Sequence, residues 1–133
     1  MNTLTQSTRT DSLLRLAMRA DAVLTGLVGI AGVPLAGWLA EVSGTSVAFE
    51  NAMAAFFIAY GVVVFALSML RSVKTPGMVV IIGNVAFTLG SVALVLWGPF
   101  GLTTLGVVLT LAGGVYTLVF AELQYQGWRR IKA

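Results

Sequence analysis

Cysteine and histidine are both absent from the chain. The first absence excludes disulfides, thiol redox chemistry and thiolate metal sites. The second excludes imidazole ligation of zinc or haem and an imidazole proton shuttle. Charge is scarce too: 10% of residues are charged, against about 25% in an ordinary soluble domain. Neither lysine, Lys74 nor Lys132, lies inside an apolar run, so a retinal-type Schiff base is not expected. There is no glycine-rich phosphate loop, and no nucleophile has a base beside it. These absences predict a protein that is not an enzyme and holds no metal and no cofactor. The net charge of +3 does not point to nucleic acid as a partner.

What the chain does have is apolar surface, with 58% hydrophobic residues. A helix crossing the hydrocarbon core needs about 20 predominantly apolar residues. Four stretches of the 133-residue chain qualify: about 20–40, 47–70, 77–97 and 103–125. The first is too long for a signal-peptide core and lacks a cleavage pattern, so it is expected to stay uncleaved. The links "EVSGTS", "RSVKTP" and "GPFG" are short and predict antiparallel neighbours. The expected fold is an all-α membrane protein, an up-down-up-down four-helix transmembrane bundle. Residues 1–19 read as a polar N-terminus, loose over 1–8, followed by an amphipathic lead-in that Thr10 or Asp11 can cap and that extends the first helix on the cytoplasmic side, partly lying at the interface. Residues 126–133 read as a basic tail.

Arg9, Arg15 and Arg19, then Arg71 and Lys74, then Arg129, Arg130 and Lys132 all fall at one end of such a bundle, with Glu41 and Glu50 at the other. The positive-inside rule then places both termini in the cytoplasm and the chain in the inner (plasma) membrane. Trp38 and Trp97 mark the outer boundary, Tyr125 and Trp128 the inner one.

A stripe of mostly small residues, Ala22, Gly26, Gly29, Val33, Ala36 and Ala40, is expected to face the bundle, with Arg15 and Arg19 at its inner end. A second ridge runs through Gly106, Thr110, Gly114, Thr117 and Ala121. Glu122 lies beside it at a depth similar to Arg19, which predicts an interhelical ion pair of Glu122 with Arg19 or Arg15. Snorkelling towards Arg129, or a proton or ligand role, are the alternatives. Asp21 is expected near the inner interface with Arg71 or Lys74, or exposed there. Ser46 is expected to cap the second span and Glu50 to complement its dipole. Asn84, Thr88 and Ser91 form a polar stripe on the third span. They read either as interhelical contacts or, with Thr25, Tyr60 and Tyr116, as a polar pocket. Pro34 is expected to kink the first span.

The stretch "LLRLAMRADAVLTGLVGIAG", residues 13–32, resembles the opening of a group of small bacterial integral membrane proteins with three further spans. In length, span count and the Leu-Leu-Arg-Leu start, the chain is also similar to the DoxX-like four-helix family. The resemblance implies a four-helix membrane bundle, and no site residue is carried over from it. Small multidrug transporters are set apart because their essential carboxylate lies in the first span, whereas Glu122 reads as the deepest one here. Fluoride channels are set apart because "GLTTLG" lacks the phenylalanine of their break.

Three functions remain open. The first is a non-catalytic accessory subunit of a larger membrane complex, such as a lipid-transport or respiratory assembly, with membrane lipids and larger subunits as partners. The second is a small transporter or channel, necessarily a homo-oligomer, with Asn84, Thr88, Ser91, Asp21 and Glu122 as its polar path. The third is a quinone- or lipid-binding membrane protein in which Tyr60, Tyr116 and Asn84 meet the ligand's polar group.

Overall fold

The structure, a computed structural model, describes residues 3–131. The described residues form four helices and no strand: α1 (Thr3–Ser43), α2 (Val47–Leu67), α3 (Lys74–Trp97) and α4 (Thr104–Arg129). Each is long and apolar enough to cross a membrane. Apolar runs of this length have no water to satisfy their backbone in lipid, and a helix satisfies it internally.

The element ends differ from the sequence expectation in several places, among them α1, which ends at Ser43, and α3, which starts at Lys74. The lead-in continues the first span as one helix, as expected, but that helix starts at Thr3, ahead of the expected cap at Thr10 or Asp11, and runs through Pro34 to Ser43. Asp11 therefore sits inside a helix and not at its cap. α2 stops at Leu67, because the carbonyls beyond it are taken by α1, as described below. α4 runs on to Arg129 and absorbs part of the expected tail, whose Lys132 lies outside the described residues.

Local chemistry fixes the other ends. Gly44, with φ +78°, adopts the left-handed conformation that favours glycine and stops α1. The amides of Gly44 and Thr45 both return to the Ala40 carbonyl. Ser46 Oγ accepts from the Phe49 amide at 3.1 Å, and Thr103 Oγ1 from Gly106 at 3.0 Å. These are side-chain caps for α2 and α4. Glu50 stands in the first turn of α2 and accepts from Thr45 at 2.6 Å.

α1 packs along α2 and along α4, and α3 packs along α4, whereas α2 and α3 barely meet. The helices therefore follow the order α2, α1, α4, α3, with an open seam between α2 and α3. Glycines set the closest approaches. A Cβ on Gly29 would lie 2.8 Å from the Ala54 carbonyl oxygen, and one on Gly61 would lie 2.7 Å from that of Ala22. At one end, Trp128 Nε1 donates to the Lys74 carbonyl at 3.0 Å, and Gly127 abuts the Leu14 backbone. At the other, the Thr103 amide donates to the Ser43 carbonyl at 3.0 Å. Buried Leu14, Met18, Ala22, Val64, Val73 and Val80 form an apolar cluster towards the Arg15 end. The outer faces are apolar as well: Leu27, Ile30, Val62, Ile82, Leu89 and Val115 are all exposed.

Candidate functional site

Asp21 is fully buried at the meeting point of all four helices. Its spacing from Leu14 and Met18, also fully buried, puts it on the same inward stripe of α1. Five neutral side chains donate to its carboxylate. Oδ1 accepts from Thr25 Oγ1 at 3.0 Å and from Tyr116 OH at 3.1 Å. Oδ2 accepts from Tyr60 OH at 2.6 Å, Asn84 Nδ2 at 3.0 Å and Gln124 Nε2 at 3.0 Å. An ionised carboxylate accepts only and offers about four lone-pair sites, so these donors saturate it. No cation joins them: the one ion pair among the described residues is Arg15 with Asp11, at 3.0 Å. Asn84 Nδ2 also donates to Gln124 Oε1 at 2.9 Å, which locks both amides with their NH2 groups turned to the carboxylate. The network lies well inside the bundle, Asn84 being about 15 Å along α3 from Lys74 at about 1.5 Å per residue.

A cavity of about 370 Å³ borders this network. Thr25, Tyr60, Asn84, Tyr116 and Thr117 form its polar end, and Phe56, Phe57 and Phe87 form its apolar wall. The Phe57 and Phe87 rings face each other across the seam with centroids 5.8 Å apart. Beyond them lies a second, mostly apolar cavity of about 510 Å³ that shares Val28, Phe57, Phe87 and Gly113 with the first. Towards the Arg15 end the network is closed by the apolar cluster, so the cavity side is the approach to it.

Several expected contacts are replaced by others. Glu122 does not pair with Arg15 or Arg19. It is exposed on α4 and accepts from Gln126 at 2.7 Å. One residue of helix is about 100° of rotation, so Glu122 turns away from the ridge that buries Ala121. The two arginines turn to α2 instead. Arg15 donates to the carbonyls of Ser68 at 2.8 Å, Leu70 at 2.6 Å and Arg71 at 2.8 Å. Arg19 donates to Ser68 Oγ at 3.1 Å and to its carbonyl at 3.3 Å. Together they cap a helix end with positive charge.

Asp21 is not at the interface with Arg71 or Lys74. Arg71 is exposed, and Lys74 Nζ lies 5.8 Å from the centroid of the Trp128 ring. Asp21 in the first helix, not Glu122 in the fourth, is thus the deeply placed carboxylate, and the contrast drawn with small multidrug transporters does not hold.

The stripe on α3 divides. Asn84 joins the Asp21 network with Thr25, Tyr60 and Tyr116. Thr88 instead lies 2.7 Å from Thr117 Oγ1 and donates to the Gly114 carbonyl at 2.9 Å, while Ser91 donates to the Phe87 carbonyl at 3.0 Å. Gln124 was not among the expected site residues. It is fully buried, and its signal was its place on the ridge Gly114, Thr117, Ala121, where a polar side chain at that spacing must face inward. Compared with protein-family models, curated proteins and solved structures, the chain matches none.

Proposed function

We propose that this chain is a binding protein of the membrane interior. In this reading the cavity beside Asp21 holds a small amphipathic molecule. Its polar group lies against Tyr60, Tyr116 and Thr25, and its apolar part lies between Phe56, Phe57 and Phe87. One observation carries the proposal: a fully buried carboxylate, without a cation, saturated by five neutral donors at the wall of a largely apolar cavity. Burying a charge in a bundle costs several kcal/mol, and packing alone gives no reason to retain it. Pockets of roughly 300–1,000 Å³, apolar with a few convergent polar groups, are the common form of small-molecule sites.

The geometry favours this reading over an accessory subunit, which has no use for Asp21. It also favours it over a transport path along α3, because Thr88 and Ser91 are bonded to helix carbonyls and Glu122 faces outward. The rest of the proposal follows the charge pattern. We place the chain in the inner membrane as an up-down-up-down bundle, with the Arg15 end and both termini in the cytoplasm. Membrane lipids cover the exposed apolar faces, and a second copy or larger subunits are further neighbours for them.

Native mass spectrometry with lipid identification, on protein extracted in mild detergent, tests the proposal. Gly83 lines the cavity, and a Cβ there meets nothing within 4 Å, so Gly83→Trp obstructs the site without touching the network. We expect a stoichiometric small molecule on the unaltered protein and its loss from Gly83→Trp at unchanged melting temperature. Identical lipid content in both proteins, with the chain held in a large assembly, would overturn the proposal in favour of the accessory subunit.

A further inference from the structure

The direction of each hydrogen bond at the polar end of the cavity restricts what can bind there. A hydroxyl has one hydrogen to give. Tyr60, Tyr116 and Thr25 are each placed to give theirs within the network, to Asp21, from Tyr60 to Asn84 Oδ1, or between Thr25 and Tyr116. Thr117 is placed to give its hydrogen to the Gly114 carbonyl at 2.9 Å. Asn84 has two amide hydrogens, and they go to Asp21 and to Gln124. No donor is left over for the cavity. Towards a ligand these groups present lone pairs only, and behind them stands a carboxylate with no cation of its own.

We propose that the site selects a lipophilic amine in its ammonium form. This rests on the reading of the cavity as a binding site and deepens it by naming the ligand's chemistry. The ammonium supplies the missing positive charge, and its N–H groups donate to the Tyr60 and Tyr116 oxygens. The wall is suited to the same charge. Phe56, Phe57, Phe87, Tyr60 and Tyr116 all line the cavity, and the faces of aromatic rings attract cations. A quinone, a carboxylate or a phosphate brings acceptors alone and would meet oxygens of its own sign. The quinone of the sequence reading is thereby disfavoured. Any apolar tail continues past Phe57 and Phe87 into the second cavity.

Three adamantanes with the same rigid cage separate the head groups: 1-adamantylamine, 1-adamantanol and adamantane-1-carboxylate. Equilibrium dialysis against the full-length protein in lipid nanodiscs, with empty nanodiscs as blank, measures saturable binding. We expect the amine to bind at least tenfold tighter than the alcohol and the carboxylate not to bind. Asp21→Asn should weaken the amine at least tenfold and leave the alcohol within threefold. Should Asp21→Asn aggregate, Phe57→Leu and Phe87→Leu replace it. Each should weaken the amine about threefold or more and the alcohol less. If the alcohol or the carboxylate binds best, and Gly83→Trp abolishes that binding, the cavity reading stands and the ammonium proposal falls. If no adamantane binds saturably, the ammonium proposal falls, and the co-purification experiment above decides the cavity reading alone.

Discussion

Tyr60 makes the shortest of the five bonds to Asp21, at 2.6 Å, while Tyr116 shares Oδ1 with Thr25 at 3.1 Å and 3.0 Å. A hydrogen bond to a charged acceptor contributes about 1.5–3 kcal/mol. Tyr60→Phe should lose about that much, read as the unfolding free energy of detergent-solubilised protein. Tyr116→Phe should lose less, because its bond to Oδ1 is the longer of the two, at 3.1 Å. Equal losses, or none at Tyr60, would mean that the carboxylate is not held as described. Residue types at this site were legible in sequence, since Thr25, Tyr60, Asn84 and Tyr116 are polar groups inside apolar runs. Their common centre was not. Asp21 lies only two residues past Arg19 and reads as interfacial until the Leu14–Met18–Asp21 spacing is recognised as an inward stripe. Glu122 is the converse case. Its expected depth beside Arg19 carries no information about rotation, and about 100° separates it from buried Ala121.

At the scale of the helix, small residues and caps decide which pairs form. Gly29 and Gly90 are both helical glycines, yet their surroundings differ. A Cβ on Gly29 would meet the Ala54 carbonyl oxygen and the Ile58 nitrogen, each at 2.8 Å, whereas one on Gly90 would meet nothing within 4 Å. Overpacking of this kind typically costs about 1–3 kcal/mol. Gly29→Ala should therefore destabilise the α1–α2 pair by about that amount, and Gly90→Ala should leave the melting temperature unchanged or slightly higher. A similar loss at both positions would refute the close α1–α2 approach. The cap on α2 makes a second prediction. Arg15→Ala removes donors from the Ser68, Leu70 and Arg71 carbonyls and leaves Asp11 without its ion partner. Part of that arginine is exposed, so a loss of about 1–2 kcal/mol is expected. Hydrogen exchange should quicken over 64–71 before it does elsewhere. The four apolar runs were plain in sequence, because length and hydropathy are local properties. The end of α2 was not, because its cap arrives from α1, more than fifty positions away in the chain.

Taken whole, the described residues gather their positive charge at one end. The Arg15 end brings together Arg15, Arg19, Arg71 and Lys74 around the finish of α2 and the start of α3, and Trp128 bonds the Lys74 carbonyl so that Arg129 and Arg130 follow alongside. Glu41 and Glu50 lie at the opposite end, where Ser43 meets Thr103. By the positive-inside rule, the proposed orientation puts the arginines in the cytoplasm. The chain's lack of cysteine permits a direct test with single reporters. Ser72 is exposed beside Arg71, and Gly101 is exposed in the link before α4 with nothing within 4 Å of a Cβ, so Ser72→Cys and Gly101→Cys should both fold. In spheroplasts, a membrane-impermeant maleimide should label Gly101→Cys, while Ser72→Cys should react only after permeabilisation. The reverse pattern would invert the bundle. Labelling of both from outside would mean mixed orientation and would overturn the single orientation expected from the charge pattern.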